Sequence, residues 1–310
     1  MAGRKNEKNG YTTTQLLNFT RDSYLERTTR PVYAIVFLLP FIIFYELGTI
    51  LINTDVLKQY QVRVVAFVWL QDLLQHLGAG SRFAWVAPPL VVVIILVALQ
   101  IASRKPWYFC PSDSVPMALE CVFLAVPLIL LSLLLNSPVA SPDNLARLDS
   151  GGSLGAVCVM AEEPVALPGE LTAPAGRLEA TAPRRRSLMT DVVTGVGAGI
   201  YEELVFRLIL ICALMVLLQD VVGLNHQNAV VLSVLISAAL FSAHHHIVWI
   251  DGRLGRSAPF SWTAFGFRTL AGIYFAILFA IRGFGITAGT HAFYDIIATV
   301  VNAVFFDHSP

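Results

Sequence analysis

The sequence predicts an all-α fold: a polytopic integral membrane helix bundle with about eight transmembrane helices, or seven if residues 63–80 lie in the membrane interface. Three observations predict it. Of the 310 residues, 56% are hydrophobic and 14% are charged, and the mean hydropathy is +0.67, whereas a soluble chain carries about 25% charged residues. Apolar runs near the ~20 residues needed to cross a hydrocarbon core recur at roughly 32–53, 84–103, 115–136, 188–218, 228–248, 263–281 and 284–306. The basic residues are also unevenly placed. With 63–80 counted as a span, fourteen Lys or Arg fall on one side and five on the other; without it the split is nine to ten. The positive-inside rule therefore favours eight spans with both termini cytosolic.

Taken in order, residues 1–31 read as a cytosolic N-terminal tail, because they are basic and hold no short apolar core with a small-residue cleavage site. Residues 32–136 are the N-terminal transmembrane helices. Glu46 lies toward the far end of the first of them, where an interfacial acid is the ordinary reading and a cavity-lining acid the alternative. The run from Arg63 to Gly80 is interrupted by Gln71, Asp72, Gln75 and His76, which is why it could equally lie as an amphipathic helix in the interface. Glu120, near the start of the 115–136 span, reads as interfacial. Residues 137–187 are rich in Pro, Ala, Gly and Ser and predict a flexible loop, with Arg184, Arg185 and Arg186 placed to anchor the next span at the head groups.

Residues 188–306 supply the last four spans, and the intramembrane charges concentrate there. Charges inside a span cost a few kcal/mol each even on lenient scales and mark functional sites. Glu202, Glu203 and Arg207 form the first cluster. Glu203 and Arg207 stand at i and i+4 with the acid first, the favourable order for an ion pair; Glu202 points about 100° away and is left as a candidate general base or acid. The second cluster follows Phe241: His244, His245 and His246 point in three directions on a helix, so at most two share one site. The third is His291 with Asp295 one turn on, preceded by Gly283, Gly285 and Gly289, which permit close helix approach. No serine or cysteine stands beside a histidine in a comparable setting, which argues against acyl-enzyme chemistry. Arg268, one turn into the 263–281 span, could reach head groups or a substrate carboxylate.

The series Glu202-Glu203-x-x-x-Arg207, Phe241-x-x-x-His245 and His291-x-x-x-Asp295 resembles the signature of the CPBP intramembrane proteases. That family contains the type II CAAX prenyl endopeptidases and the Abi bacteriocin-immunity proteins. The resemblance covers about residues 188–306. It implies that Glu202 activates a water with His245 assisting, that Glu203 and Arg207 position the Glu202 helix, that Phe241 and His244 support the site, and that His291 and Asp295 form its oxyanion side. Prenyl endopeptidases usually have Asn in the last position; an ionised Asp cannot donate to an oxyanion, so Asp295 is read as orienting His291. The resemblance also leaves a metal open. No cofactor is the first expectation, and zinc held by Glu202, His245 and His291 is the alternative.

The expected function is thus an intramembrane endopeptidase acting on a membrane-anchored peptide or protein, with lipidation at the substrate's C-terminus a further expectation. The alternatives are a proton- or ion-coupled transporter and an inactive scaffold of the same fold. The expected partners are the lipid bilayer and that substrate, and the expected location is a bacterial plasma membrane. A formal net charge of zero offers nothing to nucleic acid. Cys110, Cys121, Cys158 and Cys212 contain no C-x-x-C pair, so neither a disulfide framework nor a sulfur-ligated zinc is expected.

Overall fold

A computed structural model describes residues 19–20, 22–54, 60–76, 86–136, 165–168, 188–250, 253–256 and 261–306. Most of the expected loop at 137–187 and of the tail at 1–31 lies outside them. Helix α1 (Tyr24–Thr28) is capped by Ser23, whose hydroxyl accepts from the Glu26 amide. It leads into α2 (Pro31–Thr54), 24 residues long and so about 36 Å. A short strand, β1 (Tyr60–Arg63), precedes α3 (Val65–His76). Helices α4 (Ala87–Ser103) and α5 (Ser114–Asn136) follow, then β2 (Val165–Pro168), which pairs antiparallel with β1. Helix α6 (Leu188–Val221) is continuous, with π-helical turns at Leu204–Leu210 and Val216–Val221. Helix α7 (His226–His244) leads to an antiparallel hairpin of β3 (Ile247–Ile250) and β4 (Arg253–Arg256). Apart from these two short ladders the described chain is all-α, as expected.

The long helical stretch Trp262–Val301 is two helices. Gly283 has φ 74° and ψ 179°, a conformation that essentially only glycine adopts. The chain reverses there: the rings of Phe267 and Tyr294 lie 6.2 Å apart, where a straight helix would separate them by about 40 Å. We call the two limbs α8 (262–282) and α9 (284–301). They are the two spans expected at 263–281 and 284–306.

The two ends of the bundle differ. At one end the start of α2, the end of α4, the start of α5 and the Gly283 turn are joined by polar contacts. Gln100 accepts from the Val32 amide at 3.0 Å and donates to the Lys105 carbonyl at 2.8 Å. Arg27 grips Asp113 through two 3.1 Å bonds, and Tyr33 donates to the same carboxylate. Arg282 donates to Glu120 at 2.7 Å and to the Leu25 carbonyl at 2.9 Å. Glu120 is therefore tied into the bundle rather than merely interfacial.

Because α4 ends beside Val32, where α2 begins, the two helices run antiparallel, and α4 starts at the end of the bundle where α2 stops. Helix α3 must leave and return at that one end. Its 12 residues extend about 18 Å, too little to cross. It buries Val65 to Val68 and Leu70, with Phe67 against Tyr45 and Tyr201 and Trp69 against Phe206 and His244. Among the described residues seven helices are apolar and run along the bundle: α2, α4, α5, α6, α7, α8 and α9. This is the expected alternative in which residues 63–80 do not span. The start of α2 and the end of α9 lie at opposite ends of the bundle, and the basic residues split nine to ten, so charge no longer orients it. Arg27, Arg30, Lys105 and Arg282 are held by Asp113, Glu26 and Glu120 and serve as structural cations.

Candidate active site

Helix α6 passes against α9 because Gly195 and Gly199, one turn apart, present no side chain there. A Cβ at Gly199 would come 2.5 Å from the Ala292 backbone nitrogen, and one at Gly195 would come 2.7 Å from the Asp295 Cβ. This close approach, which small residues permit between membrane helices, sets the next turn of α6 beside His291. Glu202, Glu203, Arg207, His291 and Asp295 are all fully buried.

Glu203 is the central acid of the cluster. One oxygen lies 3.1 Å from Arg207 Nε within α6, and the other accepts from His291 Nδ1 on α9 at 2.7 Å. The i, i+4 pair with Arg207 is thus joined by a second partner 88 residues away. Arg207 lies in the π-helical turn, a form that recurs at functional sites. Its guanidinium covers the Phe241 ring at 4.1 Å, a cation–π contact strengthened by burial, and donates to the Gly272 carbonyl at 3.4 Å. The other nitrogen of His291, Nε2, lies 3.5 Å from Asp295 and 3.9 Å from Glu202. Phe275 stacks on the His291 ring at 4.7 Å. The ring is therefore fixed by an acid at each nitrogen and an aromatic face.

The histidines of α7 are organised by Phe241. As α7 ends, the Phe241 carbonyl accepts from Nδ1 of both His244 and His245, the latter at 2.8 Å. A carbonyl only accepts, so each Nδ1 carries the proton. His244 Nε2 then lies 3.9 Å from Glu202, and Phe206 packs on the His244 ring at 4.6 Å. Glu202 stands between His244 and His291, and neither of its oxygens has a direct hydrogen-bond partner among the described residues.

All eight residues expected at the site converge in this region, with three differences in detail. The acid nearest His291 is Glu203, closer than the expected orienter Asp295. His244 lies as close to Glu202 as His291 does. Among the described residues Glu202, His244 and His245 could hold a metal, their ligand atoms all lying within 4.8 Å of one another; this set shares Glu202 and His245 with the expected Glu202, His245 and His291. The donor types suit zinc, and histidines anchored through Nδ1 to a carbonyl are the usual form of such ligands. Phe275, Phe206 and Trp69 carried no signal in their apolar runs. Tyr201 donates to Glu46 at 3.1 Å, so that acid is tied to the residue before Glu202.

No curated protein and no solved structure matches the chain. Residues 185–297 match the family model described as Rce1-like, type II CAAX prenyl endopeptidase. The buried Glu-His cluster lies wholly inside that stretch, and the match supports a likeness of this part of the chain to the CPBP/CAAX protease family.

Proposed function

We propose that the protein cuts a peptide bond near the C-terminus of a membrane-anchored or lipidated substrate, with Glu202 as the base that activates a water. The observation that carries this reading is the place of Glu202: a fully buried carboxylate, 3.9 Å from His244 on one side and 3.9 Å from His291 on the other. Gaps of that length between polar groups suit a bridging water. In the proposed step Glu202 takes a proton from the water as its oxygen bonds to the scissile carbonyl carbon. His291 Nε2–H stabilises the oxyanion, and the proton on Glu202 passes to the departing amine as the C–N bond breaks. Glu203 holds His291 through Nδ1.

Replacing Glu202 with Gln should lower the cleavage rate by at least about a hundredfold, the scale of general-base catalysis. Cleavage of a fluorogenic prenylated peptide by the purified protein, with the cut mapped by mass spectrometry, checks this. Undiminished turnover by Glu202→Gln would sink the mechanism.

A second reading is favoured by charge. Glu202, Glu203 and Asp295 are three buried carboxylates; even with Arg207 charged and His291 protonated on both nitrogens, as the first reading requires, one negative charge is left over, and uncompensated buried charge is costly. A divalent ion on Glu202, His244 and His245 would supply the missing positive charge and, when bound, would polarise a carbonyl or a water. Metal analysis of the purified protein decides between the readings. Stoichiometric zinc that is lost together with activity on chelation, and reduced in His244→Ala, supports the metal. Full activity with no metal after chelation supports Glu202 acting alone.

A further inference from the structure

Three arginines lie within α6 and α8: Arg207, Arg268 and Arg282. Arg207 pairs with Glu203 and Arg282 with Glu120. Arg268 differs. Among the described residues no carboxylate pairs with it, and its Nε is buried without an acceptor. A guanidinium does not shed its charge, and an intramembrane arginine marks a place where an anion is expected.

Its position says which anion. Phe265, one turn earlier on α8, accepts from Ser242 Oγ at 2.8 Å, and its ring lies 6.2 Å from His246. Arg268, three residues on, lies on the same face of α8 as Phe265. His246 directly follows His245, which forms the buried cluster with Glu202 and His244. Arg268 thus stands on the face of α8 that Phe265 turns toward His246, on the side of the reacting centre where α7 ends and α8 begins. Three extended residues reach about 10 Å, the scale of a step from one flank of such a centre to the next. The planar fork of an arginine suits two carboxylate oxygens at once.

We propose that Arg268 receives the free C-terminal carboxylate of the substrate, so that the protein measures its cut from the end of the chain. The inference rests on the endopeptidase reading for its substrate class. Arg268 would then be a specificity residue, touching the peptide a few residues beyond the scissile bond and taking no part in proton transfer.

The test uses the purified full-length protein in detergent and a peptide carrying farnesylated cysteine followed by three aliphatic residues, made as the free acid and as the C-terminal amide. Binding is read on the Glu202→Gln protein, cleavage on the wild type. The acid should bind about ten- to a hundredfold more tightly than the amide, the scale of a charge-assisted bond. Adding Arg268→Gln should bring that ratio to near one, and Arg268→Lys, a point charge without the fork, should keep part of it. In turnover the loss should appear in KM rather than kcat.

Equal binding of acid and amide overturns the proposal, as does an Arg268→Gln variant that weakens both alike. Loss of a co-purifying anionic lipid with the acid-to-amide ratio unchanged assigns the guanidinium to a head-group phosphate and also overturns it. Preferential binding of the acid without any cleavage by the wild type keeps the carboxylate site and removes the endopeptidase reading. Cleavage of acid and amide at equal rates does the reverse. Should Arg268→Gln fail to purify as a monodisperse protein, a fall in the ratio for Arg268→Lys remains the deciding measurement.

Discussion

Adjacent glutamates in one helix have opposite duties. Glu203 is held on both sides, by an ion pair with Arg207 at 3.1 Å and by a hydrogen bond from His291 at 2.7 Å, whereas Glu202 has neither a hydrogen-bond partner nor an arginine partner among the described residues. Neutralising each should therefore have different effects on folding. Glu203→Gln strands a fully buried guanidinium, and breaking a buried pair from one side costs about 3–5 kcal/mol. It should lower the unfolding temperature in detergent and abolish activity with it. Glu202→Gln should abolish activity with the unfolding temperature maintained or raised. Parallel melting curves of the two variants check this, and equal destabilisation would contradict the division of labour. Half of that division was legible in the sequence, because an i, i+4 pair is a local matter. The bond from Glu203 to His291 was not, since the residues are 88 positions apart and only helix packing brings them together. The acid nearest in sequence, Asp295, stood in for it, at a longer 3.5 Å.

The packing that joins them is decided by helix elements. Gly195 and Gly199 form a bare stripe on α6 against which α9 lies, and it sits directly before the glutamates. A methyl at Gly199 would meet backbone, the Ala292 nitrogen at 2.5 Å, so the helices would have to part. Overpacking of this kind costs about 1–3 kcal/mol. Gly199→Ala should accordingly weaken the fold by that amount and reduce activity out of proportion, since it lengthens the bond between Glu203 and His291. An unfolding midpoint together with turnover measures both, and a variant with wild-type activity would show that the contact does not set the site. The glycines before His291 were recognisable in the sequence because three fall within seven residues of each other. The glycines of α6 were equally visible as a G-x-G-x-G run, but their partner helix was not. The hairpin of α8 and α9 was readable as two apolar runs with Gly283 between them, although the backbone is helical almost up to the turn.

For the whole molecule, the number of crossings decides which compartment each end of the bundle meets. The apolar run at 63–80 is a marginal span by composition, and counting charges tipped it toward crossing. Its polar residues, Gln71, Asp72, Gln75 and His76, fall in the second half of α3 and beyond the buried stretch Val65 to Val68, so the helix dips into the bundle and stops. There Trp69 lies 5.8 Å from His244, and α3 forms part of the wall around the buried cluster. Arg27, Arg30, Lys105 and Arg282 are neutralised in place by Asp113, Glu26 and Glu120, and a neutralised cation does little to orient a helix, so a bare count of basic residues overstates their pull. If the seven described helices are the crossings, the two termini are expected in different compartments. Reporter fusions at residue 1 and residue 310, one active only in the cytosol and one only outside it, should therefore give opposite signals. A single cysteine at position 72, at the end of the bundle where α2 stops, should be labelled by an impermeant thiol reagent from the same side as the C-terminus, in a background lacking the native cysteines. Termini reporting from one compartment would restore the eighth span. An eighth span at 63–80 in particular would require α4 to run parallel to α2, which the bond from Gln100 to the Val32 amide at 3.0 Å opposes.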